Sequence, residues 1–236
     1  DLNAIGLAAG TNPIPLGVYP GDLEITPDGR FLLASASPLT VVDIAARAVV
    51  STFTGMGQSA VAAGRGGEVV VADYSANLVR RMRLSGSGTL TATGESLTVP
   101  TPFNVVLAPD GRTGVALSFA DSGGIQSFVV SGMAAADAAP LPWPFCGVFS
   151  PQGDRFFVRN ANSVVAWPYD PDNGQLGDMP LYTIMLATEY PTAGIDQLDI
   201  SPDGTTLYVT DPSVIEVYDA ATGSPLGLWG SSQHDY

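Results

Sequence analysis

The chain has no lysine, one cysteine and one histidine among its 236 residues. With Cys146 alone an intrachain disulfide is ruled out, and a zinc site built from His and Cys fails by count. The one histidine, His234, sits in the last six residues, 231–236, where a flexible tail is expected. A Ser-His-Asp or Cys-His catalytic group would have to recruit it, so nucleophilic catalysis finds little support. Long apolar runs are missing too. The most apolar stretch, Met133 to Phe149, is broken by Asp137 and by Pro140, Pro142 and Pro144, well short of the roughly 20 apolar residues a membrane helix needs.

Positive charge is scarce. The nine basic residues are all arginine, against 23 acidic residues, for a net charge of −14. Such a surface repels phosphate backbones and anionic headgroups, so neither nucleic acid nor membrane insertion is expected. The sequence starts at Asp1 rather than Met; the expectation drawn from this is export, to a secreted, periplasmic or cell-surface location.

What is abundant is apolar residues at 45%, with 27 glycines and 19 prolines scattered along the chain. That composition suits many short strands joined by tight turns. The segment LEITPDGRFLL from Leu23 returns as VVLAPDGRTGV from Val105, GVFSPQGDRFF from Gly147 and LDISPDGTTLY from Leu198. Each is an apolar strand, a turn opened by Pro27, Pro109, Pro151 or Pro202, and a second apolar strand. The gap between the first two prolines is about twice the next one. A degenerate unit fills it at Ser59 to Asp73, where Gly66 and Gly67 take over the turn.

A third strand and a polar turn follow each hairpin, as in IEVYDAATG from Ile215, and a weaker fourth strand leads on, as in SPLGLWG from Ser224. Four strands recurring every 40 to 50 residues or so predict an all-β fold, a β-propeller of five blades of four antiparallel strands. The expected blades are 17–54, 55–99, 100–140, 141–188 and 189–230 of a single domain, with residues 1–12 as a strand closing the ring.

The ITPDG, LAPDG and ISPDG turns, with VYDAATG at Val217 to Gly223, resemble the YVTN/lactonase-like propeller repeats over about Gly17 to Gly230. The resemblance implies the propeller fold and a range of roles, from surface-layer proteins to sugar lactonases. It also implies an alternative, that five blades are part of a larger, seven-bladed type of ring.

In a propeller the first strand of each blade lines the central channel. Five positions before each turn reference residue stand Asp22, Ser59, Asn104, Cys146 and Gln197, a predicted ring at the channel mouth. Nine positions after it stand Ala36, Asp73, Ser118, Asn160 and Asp211, four of them polar. Together they predict a polar, acidic pocket for a hydroxyl-rich ligand or for a divalent cation held by Asp22, Asp73 and Asp211. Cys146 reads as a buried thiol in an apolar stretch. No other cofactor is implied.

Three other features read as structural. DPDNGQLGD at Asp170 to Asp178 lacks the glycine position and the twelfth-place glutamate of a calcium loop, and reads as a turn. Arg80, Arg81 and Arg83 read as a strand surface balanced by acids. Trp143, Phe145, Trp167 and Trp229 read as packing between blades, with sugar stacking as the other use of such rings. The stretch 179–196 is expected to enlarge a loop near the pocket. The leading functional expectation is a non-enzymatic module binding a protein, glycan or small molecule. The alternatives are a lactonase-like hydrolase or lyase using a carboxylate-bound cation, and a structural surface-layer or oligomer-forming protein.

Overall fold

The computed structural model describes residues 14, 16, 19–120, 123–186, 197–210 and 214–229, with the side chains of Gln58 and Ser59 excepted. Strands β1 (Asp22–Ile25), β2 (Phe31–Ser35), β3 (Leu39–Asp43) and β4 (Ala48–Phe53) form the first sheet. The second holds β5 (Gln58–Ala63), β6 (Glu68–Asp73), β7 (Leu78–Leu84) and β8 (Leu90–Thr98). The third holds β9 (Pro102–Leu107), β10 (Thr113–Ser118), β11 (Gly124–Val129) and β12 (Ala134–Pro140). The fourth holds β13 (Cys146–Phe149), β14 (Arg155–Arg159), β15 (Ser163–Asp170), β16 (Gln175–Leu176) and β17 (Tyr182–Met185), and the fifth β18 (Leu198–Ile200), β19 (Thr206–Thr210), β20 (Ile215–Asp219) and β21 (Pro225–Trp229). Each sheet is an antiparallel meander, the fourth with both β16 and β17 paired to β15, and the protein is a five-bladed β-propeller.

The hairpin turns close for a local reason. The Asp28 carboxylate accepts from the Thr26 hydroxyl at 2.6 Å and the Arg30 N–H at 3.1 Å, while Gly29 takes φ +70°. Asp203 repeats this with the Ser201 hydroxyl at 2.5 Å and the Thr205 N–H at 3.0 Å. Both carboxyls sit below the usual aspartate range because these donors favour the charged form, the hydroxyls contributing most. The second blade lacks this kit and turns on Gly66 and Gly67, at φ +67° and +80°. A Cβ on Gly67 would lie 2.2 Å from the Leu84 carbonyl oxygen. Gly67→Ala is therefore expected to cost about 2 kcal/mol or more, combining left-handed strain with a backbone clash. Gly29→Ala, with open space around it, carries the strain alone and costs about 1 kcal/mol. Urea midpoints of the two variants check the order.

Successive sheets bury their faces against one another. Leu33, Val41, Val69 and Met82 fill the space between the first two, Val70, Ala72, Val105 and Phe128 the next. Leu117, Phe156, Val158 and Trp167 fill the third gap, and Phe157, Val164, Leu207 and Tyr218 the fourth. One register position reports on the sequence of sheets. The residue four before the turn reference is buried in the second, third and fifth blades (Ala60 1%, Val105 3%, Leu198 7% exposed), because the preceding sheet covers it. Its counterpart in the first blade, Leu23, is 54% exposed. No strand of the fifth sheet packs broadly on the first among the described residues.

Residues 1–12 and the tail 231–236 lie outside the described residues. Within 179–196, Tyr182–Met185 is not loop: it forms β17, pairing with β15 as the outer strand of the fourth blade. β16 is only a two-residue extension on the far end of β15, so the outer position was left for the later segment to fill. Residues 187–196 are outside the described set. Asp170 to Asp178 forms a turn, with Gly174 at φ +80° and Asp170 accepting from the Asp172 N–H.

Candidate functional site

The first strands β1, β5, β9, β13 and β18 stand around a central channel, entered at the end where they begin. Asp22, Asn104, Cys146 and Gln197 all line it, in a cavity of about 440 Å³ that runs down to Pro27, Arg65 and Pro109 at the far end. A fixed offset from the turn thus delivers one residue from each of four blades to one opening, because each inner strand starts at the same height. Ser59 lies in β5 of the second blade, but its side chain is outside the described set. Cys146 is buried, opposite Arg159 in the β13–β14 register.

The second set does not join it. Asp73 is 1% exposed and turns its carboxylate into its own loop. Oδ1 accepts from the Gly57 N–H at 3.2 Å, the Ser75 hydroxyl at 3.0 Å and the Ala76 N–H at 3.3 Å, and Oδ2 pairs with Arg80 Nε at 2.7 Å. Ser118 donates to the Pro100 carbonyl at 2.6 Å. Asn160 caps its own turn, accepting from the Ser163 N–H and hydroxyl at 2.9 and 2.7 Å. Ala36 is buried, and Asp211 lies outside the described residues. The polar residues at the end of the second strand are consumed by neighbouring connections: Asn160 by the one that follows it, Ser118 by the one that leads into β9, and Asp73 by both kinds.

Of the expected cation ligands, Asp22 and Asp73 are not brought together. Asp22 lines the channel, Asp73 is saturated elsewhere, and among the described residues no three His, Cys, Asp or Glu side chains stand close enough to share a metal ion. The arginine cluster is likewise spoken for: Arg81 pairs with Glu68 at 2.8 Å and with Glu95, and Arg83 with Glu68 at 2.5 Å.

The channel holds a carboxylate that the offset did not select. Glu24 lies two residues beyond Asp22 on β1, on the same side of the strand and deeper in the cavity. Its pKa is pushed up to about 7, chiefly by burial and further by the Asp22 charge, against the opposing pull of the Ala63 N–H. Asp22 Oδ2 accepts from the Val61 N–H at 3.0 Å and Glu24 Oε1 from the Ala63 N–H at 3.4 Å. Two carboxylates of the first blade thus reach across to the free edge of β5 in the second. No other blade has glutamate at this position (Val61, Val106, Val148 and Asp199 stand there), so the repeat alignment gave no reason to single it out.

Beside the mouth, between the third and fourth blades, four aromatic rings cluster. Phe119 lies 5.2 Å from Phe103, 4.8 Å from Trp143 and 5.5 Å from Phe145, centroid to centroid. Of the tryptophans, Trp167 is buried as inter-blade packing, whereas Trp143 and Trp229 are 40% and 58% exposed. Trp229 lies against Tyr208 on the fifth sheet.

Comparison with known proteins gives the fold. No family model matches the chain, and no curated protein sequence matches it. Among solved structures, the chain is similar to the periplasmic gluconolactonase of Pseudomonas aeruginosa, with a TM-score of 0.72 at 18% identity over 89% of this chain and 70% of that one. It is similar to a proposed 6-phosphogluconolactonase of Bacteroides uniformis, at TM-score 0.68 and 22% identity over 91% and 73%. The Swd1 β-propeller domain of Myceliophteria thermophila gives a TM-score of 0.67 at 14% identity over 91% and 72%. The class is thus a β-propeller whose fold is shared with lactonase-like proteins. No helix among the described residues is long and apolar enough to cross a membrane.

Proposed function

We propose that the chain is a lactonase-like hydrolase acting on a sugar lactone held in the channel, without a metal at Asp22, Asp73 and Asp211. The observation that carries the reading is Glu24, a channel carboxyl whose pKa of about 7 matches the pH at which a general base works best. As a carboxylate it takes a proton from water as the water oxygen bonds to the lactone carbonyl carbon. The ring C–O bond then breaks, and the proton passes to the departing alkoxide. Asn104 and Gln197 supply amide N–H donors for the carbonyl oxygen and the sugar hydroxyls. The likeness to lactonase-named propellers supports the class of substrate, and the periplasmic relative supports an exported protein.

A panel of five- and six-membered sugar lactones, followed by proton release in weak buffer, tests this. Turnover is expected, and it should be unchanged by a chelator. No turnover of any lactone would end the enzymatic reading. Turnover lost on chelation and restored by a divalent cation would end the metal-free one.

A second reading, a non-enzymatic binding module, is favoured by the N–H bonds that Asp22 and Glu24 accept from Val61 and Ala63. Those bonds give both carboxylates the task of tying two blades together. Saturable binding of a lactone or its open acid with no conversion would select this reading.

A further inference from the structure

The rings around Phe119 do not pack as a core would. Phe103 and Trp143 keep 40% of their surfaces exposed, and Trp143 sits at φ +54°, a conformation that a bulky residue adopts only against strain. Such strain persists where surrounding structure imposes it, and it gathers at binding sites. The cluster is also placed one residue from the channel at two points: Phe103 precedes Asn104, and Phe145 precedes Cys146. An apolar ledge therefore borders a mouth whose own groups are amide and carboxylate.

We infer that Phe103, Phe119, Trp143 and Phe145 form a platform for the C–H face of a pyranose ring, so that the ligand is a neutral saccharide longer than one ring. The chemistry fits on both sides. A pyranose presents an apolar C–H face to an aromatic ring and a rim of hydroxyls to acceptors such as Asp22, Asn104 and Gln197. A flat apolar ligand would leave those polar groups unpaired. An anionic ligand at the mouth would meet Asp22 and Glu24. The inference rests on the hydrolase reading only for what happens to the ring inside the channel.

Cellohexaose, maltohexaose and hexa-N-acetylchitohexaose, titrated singly against the full chain, are the probes, read by tryptophan fluorescence and by calorimetry. A Trp229→Phe background removes the other exposed indole. At least one saccharide is expected to quench Trp143. Trp143→Gly, which removes the ring and relieves the positive φ, should weaken that saccharide about tenfold, the size of one lost stacking contact. Trp143→Phe should recover part of the loss. A thermal melt no lower than wild type shows that Trp143→Gly has not lost its fold.

Quenching by none of the three overturns the platform, as does an affinity within twofold of wild type in Trp143→Gly. Self-association that disappears in Trp143→Gly, with no saccharide bound, would make the ledge a protein contact and also overturn it. Failure of the hydrolase reading looks different: lactone turnover is absent while saccharide quenching in wild type, and the calorimetric loss of affinity in Trp143→Gly, persist.

Discussion

Glu24→Gln should lower lactone turnover by about a hundredfold or more, the usual scale for losing a general base, and should make the protein more stable at pH 8 than wild type. The two effects share one cause. Glu24 has a pKa of about 7 in the folded chain against 4.5 for a free glutamate, so the folded state holds a proton that the unfolded state releases. Between pH 4.5 and 7 folding is favoured by protonation, and that advantage is lost as pH rises through the folded value. The loss amounts to at most about 3 kcal/mol.

Glutamine keeps an oxygen for the Ala63 N–H and carries no charge to bury, so the variant's stability should lack this decline. Urea midpoints at pH 5 and pH 8, taken as the difference between variant and wild type, measure it. Wild-type kcat/KM should climb through pH 7 and level off, and the climb should vanish in Glu24→Gln. A wild-type profile flat from pH 5 to 9 would remove Glu24 from the chemistry.

Asp73→Ala should be strongly destabilising, by about 3 to 5 kcal/mol, or roughly 10 °C in the thermal midpoint. The carboxylate is almost wholly buried and bonds two backbone N–H groups, a hydroxyl and the Arg80 guanidinium. Removing it leaves those donors without an acceptor where water has poor access. Asp73→Asn, which keeps one acceptor oxygen and loses the charge pairing, should fall between the two. Lactone turnover per folded molecule should survive both, because Asp73 does not line the channel. Thermal melts and activity corrected for the folded fraction give the two readouts. A stable Asp73→Ala with turnover abolished would return Asp73 to the site.

The contrast between these aspartates shows how far the amino-acid order could be followed. The Pro-Asp-Gly hairpins announce the blades because each carries its own closing hardware: Thr26 with Asp28, Ser201 with Asp203, and a glycine in the left-handed region. The channel mouth is legible for the same reason, since Asp22, Asn104, Cys146 and Gln197 are counted back from a turn that fixes their height. Counting forward fails. After β6 and β14 the chain bends at once and Asp73 and Asn160 bond to that bend, while Ser118 at the end of β10 donates back to the Pro100 carbonyl ahead of β9. A count along one strand cannot tell a side chain that faces the axis from one that ties a knot. Glu24, Phe103 and Phe119 were hidden differently, whereas Trp143 and Phe145 were visible as aromatics but not as partners of Phe119. Each belongs to a single place in the ring, so no repeat points to it.

The bonds from Asp22 and Glu24 to β5 carry a consequence for occupancy. The groups that would greet a ligand are the same groups that hold the first blade to the second, so filling the channel and firming that seam draw on one pool of free energy. A guest that supplies Glu24 with a replacement donor would tighten the ring. A guest that pulls the carboxylate inward would loosen it at one joint, between β1 and β5, and leave the other joints as they were.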